Sequence, residues 1–132
     1  AATQLRWKTI HVTKKFPKSY WHSITNSLQE LAKEIFVNCI KGNAVFMHQG
    51  MGQRDFDLRR MYLMKAYSAA DALNAEITFC YGLLMEGENI FRDAKDRDKK
   101  FEDWTALGVE TKNRLRALLK SDKERFNSYG KS

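Results

Sequence analysis

The spacing of apolar residues between positions 63 and 84 constrains the fold of this chain more than any other feature. Seven small or apolar side chains recur there at intervals of three and four residues: Leu63, Ala66, Ala70, Leu73, Ile77, Cys80 and Leu84. An α-helix turns once in about 3.6 residues, so this spacing places all of them on one face. The pattern predicts a long helix over residues 53–86 that buries this face against other helices.

Weaker patterns of the same kind predict three further helices, over about residues 4–15, 18–47 and 98–127. Pro17 separates the first two, because a proline disfavours helical backbone at the residue before it. This is the chain's single proline, and the chain is rich in residues that lose little freedom on a helix. We therefore predict one all-α domain over residues 1–132, an antiparallel up-down-up-down four-helix bundle.

The predicted helix faces carry two further kinds of residue. Asn38 lies on the seam of the second helix, where a polar residue often fixes register or oligomeric state. The stripe of the fourth helix runs from Phe101 through Leu115 to Asp122 and Tyr129.

Other apolar residues lie off the main faces, and one slender bundle cannot bury all of them: Phe36, Ile40, Phe46, Phe79 and Leu119. This excess predicts a homo-oligomer.

Charge is distributed unevenly along the chain. There are 23 lysines and arginines against 16 aspartates and glutamates, a net charge of +7. Residues 1–18 and 112–132 each carry +5, whereas residues 66–111 carry −5. Segregated positive charge favours a surface that follows phosphates, since each neutralised phosphate releases counterions. The alternative is that these runs of charge are ordinary solvated helix faces.

The predicted bundle places residues 54–65 beside residues 112–125, so that bases distant in sequence form one patch at one end. With lysines around the first helix, the candidate nucleic-acid-binding residues are Lys14, Lys15, Lys18, Arg54, Arg59, Arg60, Lys65, Lys112, Arg114, Arg116, Lys120, Lys123 and Arg125. Aromatic residues lie among these bases, Tyr67 for example. They either stack on unpaired bases or pack in the core or a subunit interface.

Residue types that carry catalysis or bind metals are not grouped in the sequence. His11, His22 and His48 lie far apart, and no Glu-x-x-His pair of a di-iron bundle is present. Cys39 and Cys80 fall within apolar helical stretches, without a second cysteine or histidine at metal-ligand spacing. We therefore expect no enzymatic activity, no cofactor and no metal, and two buried thiols in a reducing cytoplasm.

Neither a leader peptide nor a long unbroken apolar stretch is apparent in the sequence. A secretory leader needs a charged start followed by an apolar core, and a membrane-spanning helix needs about 20 apolar residues. We therefore expect a cytoplasmic protein with no membrane partner.

Several short motifs together resemble a known family. They are the run Thr13-Lys14-Lys15-Phe16-Pro17-Lys18-Ser19, a following helix with Leu28, Ala32, Glu34 and Ile35, the pair Asn43-Ala44, and then Arg54-x-Phe56, Arg60-x-Tyr62-Leu63, Ala66 and Leu73. Over about residues 5–120 the chain resembles the four-helix-bundle family of accessory variability determinants of diversity-generating retroelements. That family includes proteins encoded in intervening sequences of large-subunit ribosomal RNA genes.

The resemblance implies a function as well as a fold. It implies a ring-shaped homopentamer without catalytic activity, whose basic surface binds RNA or DNA and which associates with the retroelement's reverse transcriptase. In that setting the protein supports mutagenic synthesis of complementary DNA on a template RNA. Two alternatives stay open: a bundle of the ribosomal intervening-sequence type, or a protein-interaction scaffold that does not contact nucleic acid.

Overall fold

The computed structural model describes residues 1–16, 24–85 and 94–130. These residues form four α-helices and no strand: α1 at Ala2–Thr13, α2 at Asn26–Asn43, α3 at Gln53–Met85 and α4 at Ala94–Tyr129. The all-α class is confirmed, and the arrangement is that of a helical bundle. None of the helices in the described ranges has an apolar run long enough to cross a lipid bilayer.

The end of α2 corrects one predicted boundary. The second helix was expected to continue to residue 47, but it ends at Asn43. Gly42 and Asn43 are weak helix formers. The guanidinium of Arg59 in α3 also donates hydrogen bonds to the carbonyl oxygens of Gly42 and Val45, at 3.3 and 3.0 Å. In a continuing helix these carbonyl oxygens would accept hydrogen bonds from backbone N–H groups four residues later. Arg59 supplies donors in their place, so the helix can end there.

The other boundaries differ by two to four residues where they differ. α1 begins at Ala2 and ends at Thr13, two residues before the predicted end. α4 begins at Ala94, so residues 94–97, which precede the predicted helix, are also helical; Asp96 in its first turn complements the positive end of the helix dipole. Residues 18–23, predicted to open the second helix, and residue 86, predicted to end the third, lie outside the described residues.

The face predicted for α3 forms the core. Six of its seven positions are buried, and the structure does not describe the side chain of the seventh, Leu84. The other helices cover this face with side chains that are buried in turn, among them Leu5 of α1, Ile35 of α2 and Trp104 of α4. Each such side chain contributes roughly 1.5–3 kcal/mol by leaving water, so the seam of α3 holds the helices together.

Polar contacts along α3 and α4 fix how these two helices lie against each other. They join Arg59 to Asp122 at 2.7 Å, Asp71 to Lys112 at 2.7 Å, Asn74 to Gly108 at 3.3 Å and Tyr81 to Asp98 at 2.8 Å. As the position rises along α3, its partner falls along α4. The pair therefore has two distinct ends, which we call the Arg59 end and the Tyr81 end.

α1 lies against α4 and along α2, with its end beside the start of α2 and its first residues beside the end of α2. The indole N–H of Trp104 donates to Thr9 Oγ1 at 2.9 Å, and the amide of Gln29 donates to Thr13 Oγ1 at 3.0 Å. Lys8 lies 3.9 Å from Asp103. The second half of α1 is therefore near the first third of α4, toward the Tyr81 end.

Candidate nucleic-acid interface

Three of the predicted bases lie along the groove between α3 and α4. The guanidinium of Arg60 donates to the carbonyl oxygen of Leu119 at 3.3 Å, and that of Arg116 donates to the hydroxyl of Tyr67 at 3.2 Å. The Lys112 ammonium lies 2.7 Å from Asp71 Oδ1. Each contact crosses from one helix to the other, so these cations share one side of the helix pair.

Two more lysines extend this side along α4. Lys120 and Lys123 follow Arg116 by four and seven residues, which places them on the same face of the helix. Both are exposed, and neither forms an ion pair with another described side chain. We call Arg60, Lys112, Arg116, Lys120 and Lys123 the α3–α4 basic face.

Ion pairs offset little of the charge of this face. Among the described residues, only Lys112 of the five forms an ion pair, with Asp71. Arg60 and Arg116 instead donate to neutral oxygens, so both keep their charge while their guanidinium groups are oriented. The face therefore presents oriented arginines beside exposed lysines, a combination suited to phosphate oxygens.

Tyr67 belongs to this face, although charge alone does not reveal it. Its hydroxyl accepts the bond from Arg116, and the Lys112 ammonium lies 5.8 Å from its ring centroid. Tyr67 follows Arg60 by seven residues, two helical turns, and this spacing is the sequence signal that links the two.

Arg59 corrects the predicted site. It was expected to contact phosphates, but it is 7% exposed, and its Nε lies 2.7 Å from Asp122 Oδ2. Its remaining donors bond the end of α2 and the second oxygen of the same carboxylate. A guanidinium with its donors used inside the protein joins α2, α3 and α4 and does not reach a polyanion.

Arg54 and Lys65 are exposed but lie on another side of α3. Lys65 lines a shallow depression with Leu31 and Glu34 of α2. Arg54 precedes Lys65 by eleven residues, about three helical turns, so it shares that side. These two bases do not join the α3–α4 basic face, which corrects the expectation of a single patch.

Arg114 and Arg125 lie on the opposite flank of α4 and are paired with carboxylates. Arg114 lies 2.8 Å from Glu110 and lines a depression with residues of α1 and α2, whereas Arg125 lies 2.6 Å from Asp122. Both pairs reduce the positive charge offered to a ligand, and the flank differs from that of Arg116. These arginines are therefore also separate from the basic face.

The lysines that follow α1 lie toward the Tyr81 end. Lys14 and Lys15 are exposed, and a hydrogen bond with Lys15, together with burial and the charge of Lys15, lowers the pKa of Lys100 in α4. Lys14 and Lys15 are therefore remote from Lys120 and Lys123, and they form no common patch with the basic face. Lys18 lies outside the described residues.

Within the described residues, the side chains considered for chemistry are not gathered into a site. No group of three or more histidine, cysteine, aspartate or glutamate side chains within the described ranges could hold a metal ion. His11 stacks on Trp7 at 5.5 Å between ring centroids. Burial and, secondarily, the charge of Glu76 raise the pKa of Cys80 to about 12, and burial also raises the pKa of Cys39. Neither thiol is activated as a nucleophile.

Fold and surface together define an all-α helical protein with a basic face between α3 and α4. Comparison of the chain with protein-family models, with curated proteins and with solved structures finds no match.

Proposed function

We propose that this chain is a non-enzymatic, nucleic-acid-binding accessory subunit of a retroelement reverse transcriptase. In this proposal its helices form an antiparallel up-down-up-down bundle, and copies of it assemble into a ring-shaped homo-oligomer, a pentamer if the family resemblance extends to subunit number. The assembly acts in the cytoplasm, where it associates with the polymerase and its template RNA and supports mutagenic synthesis of complementary DNA. The motifs around Phe16, Pro17 and Arg54 support the polymerase association.

The observation that carries nucleic-acid binding is the α3–α4 basic face. Four of its five cations, all but Lys112, form no ion pair with a described carboxylate, and two helices hold them on one side of the protein. Exposed cations in this arrangement replace the counterions of several phosphates at once. Binding of this kind is salt-dependent and nearly independent of base sequence, because phosphates carry no sequence information.

The test replaces the three α4 cations of the basic face that form no ion pair with a described carboxylate, in the variant R116A/K120A/K123A. We expect weaker binding to both duplex DNA and structured RNA. For duplex DNA we expect the slope of log affinity against log salt to fall by about 0.9 for each phosphate that the variant no longer neutralises, or about three in all. Affinity is measured by fluorescence anisotropy with labelled nucleic acid between about 50 and 200 mM salt, the range in which this term is large.

The matched control is K33A/R54A/K99A, which removes the same net charge from exposed positions outside the basic face. We expect it to retain most of the affinity and nearly the original salt slope. If both triple variants lose affinity equally, binding follows net charge and the face has no special role. If R116A/K120A/K123A binds as the original chain does, the nucleic-acid proposal is wrong.

Exposed apolar side chains favour a second candidate function, a scaffold that binds an acidic protein with no nucleic acid. Trp7, Ile40 and Phe46 are 61, 54 and 76% exposed, and such residues are common in protein interfaces. A pull-down of the tagged chain with its reverse transcriptase after nuclease treatment separates the two functions. Retention of the polymerase after nuclease treatment, by the original chain and equally by R116A/K120A/K123A, favours the scaffold, and so does failure of the original chain to bind RNA or DNA.

A further inference from the structure

The outer side of α1 is apolar and basic at once. Trp7 and Ile10 are 61 and 42% exposed, and Lys14 follows them on the same side, at positions i, i+3 and i+7. We call Trp7, Ile10 and Lys14 the α1 outer face. Phe36 of α2 lines the shallow depression beside it, together with Arg6, whose guanidinium lies over the Phe36 ring at 4.9 Å. The apolar surface thus continues from α1 onto α2.

This face carries no negative charge of its own. α1 contains no aspartate or glutamate, while Arg6, Lys8 and Lys14 are cationic. Lys14 forms no ion pair with another described side chain, and Lys8 reaches a carboxylate only at 3.9 Å. A surface of this composition is complementary to an apolar groove edged by carboxylates.

Such a groove lies between α2 and α3, on the far side of α2 from α1. Two shallow depressions meet there and share Leu31, Glu34 and Ala72. Met61 and Met64 line one of them, and each is 41% exposed. Methionine side chains adapt their shape to a partner, so this floor accommodates large apolar side chains such as those of α1.

The edge of this groove is acidic. Glu30, Glu34 and Glu76 line it, and none of them forms an ion pair with another described side chain. Lys65 lies at the methionine end and is the one cation among the lining residues. In a chain of net charge +7, three carboxylates that form no ion pair with a described cation are available to a partner, and they fit a basic amphipathic helix laid into the groove.

We propose that the α1 outer face of one copy docks into the α2–α3 groove of a second copy. This inference rests on the homo-oligomer of the proposed function and assigns its two surfaces. Trp7 and Ile10 fill the groove beside Met61 and Met64, and the bases of α1 approach the glutamates. Because the two surfaces differ, the contact is heterologous, and repeating it generates a ring if the rotation closes and a filament if it does not.

The test uses one variant for each surface. W7E/I10E destroys the α1 outer face, and M61E/M64E destroys the groove floor. We expect each to be a monomer by light scattering after size exclusion, at concentrations where the original chain is an oligomer. Loss of a central interface tryptophan alone should raise the dissociation constant at least about 30-fold.

Mixing the two variants is the decisive measurement. W7E/I10E retains the groove and M61E/M64E retains the α1 outer face, so an equimolar mixture should form a heterodimer and nothing larger. The control F79E removes a large side chain that is 60% exposed and lines neither surface, and it should keep the original mass. Circular dichroism checks the folding of each variant. E30K/E34K, which alters only exposed carboxylates, provides a second groove variant with the same expected result.

Several results would overturn the assignment. If the original chain is a monomer, the self-contact is excluded. This holds even if the α1 outer face binds some other protein and W7E/I10E abolishes that binding. Assembly that survives in M61E/M64E and E30K/E34K but not in W7E/I10E indicates a symmetric α1 contact, and a mixture that stays monomeric excludes pairing of the two surfaces. R116A/K120A/K123A should retain the original mass, so failure of nucleic-acid binding and failure of this contact are observed separately.

Discussion

The two ends of the α3–α4 contact both contain aromatic rings but differ in buried charge. At the Arg59 end, Phe56 stacks on Phe126 at 4.1 Å between ring centroids, and a buried arginine and a buried aspartate pair at 2.7 Å. At the Tyr81 end, Phe101 lies 5.3 Å from Tyr81 and 5.5 Å from Trp104 between ring centroids, and no buried ion pair lies beside these rings among the described residues. Hydrogen-bonded charges accept one geometry, whereas rings mainly fill volume. The Arg59 end therefore fixes the register of the two helices.

The same comparison explains why neighbouring arginines differ in role. Arg59 and Arg60 are consecutive, so their side chains leave α3 about 100° apart. Arg59 points inward to Asp122, and Arg60 lies partly exposed over α4. One stabilises the fold and the other is available to a ligand, although the residue type is the same. The position of a base around its helix thus decides its function.

The largest expected effect is the loss of Asp122. D122A leaves the buried guanidinium of Arg59 without a counter-charge, and breaking a buried pair from one side costs about 3–5 kcal/mol. We expect the free energy of unfolding, measured by urea denaturation, to fall by that amount. Arg125 also loses its partner, but it is largely exposed and adds little to the loss.

Two further variants sharpen this prediction. R59M should cost less than D122A, because Asp122 keeps its 2.6 Å contact with Arg125. R59M/D122L, which buries apolar side chains in place of both charges, should recover most of the stability lost in D122A. If D122A costs less than about 1 kcal/mol, a value typical of exposed pairs, the pair does not stabilise this end of the contact.

A smaller loss is expected at the Tyr81 end. Trp104 is fully buried, and its indole N–H donates to Thr9 Oγ1 at 2.9 Å. W104F keeps a ring in the same place but loses this bond and some volume, so we expect it to cost about 1–3 kcal/mol. Urea denaturation measures the cost, and T9V, which removes the acceptor but keeps the ring, separates the bond from the volume. A cost in W104F equal to that in D122A would remove the contrast between the two ends.

Much of the fold could be predicted because it follows from periodicity within single helices. The α3 seam from Leu63 to Cys80 is buried as its spacing indicates, and Asp122 lies on the predicted core stripe of α4. An acid at a core position was a signal that a buried base faces it. Which base does so depends on contacts between residues 63 positions apart, and spacing within one helix does not report them.

The candidate site could be predicted only in part, for a related reason. Charge counted over segments correctly indicated that bases of α3 and α4 meet, as Arg60 and Arg116 do along the groove. Such a count ignores the direction in which each side chain leaves its helix. Lys65 and Arg114 therefore belong to the right segments but to other sides. The end of α2 was missed because a side chain of another helix determines it.

The smallest expected effect lies between the two ends, where α3 and α4 approach each other at Gly108. A Cβ on Gly108 would lie 2.0 Å from Asn74 Oδ1, and the Asn74 amide donates to the Gly108 carbonyl oxygen at 3.3 Å. G108A must displace that side chain, at a cost of about 1–3 kcal/mol, while alanine returns up to about 1 kcal/mol of helix propensity. We expect a net loss of about 1 kcal/mol in urea denaturation. In the N74A background the obstacle is absent, so G108A should there be neutral or stabilising by up to about 1 kcal/mol. An equal cost of G108A in both backgrounds would show that the close approach of the two backbones, and not the Asn74 side chain, requires glycine between the Arg59 end and the Tyr81 end.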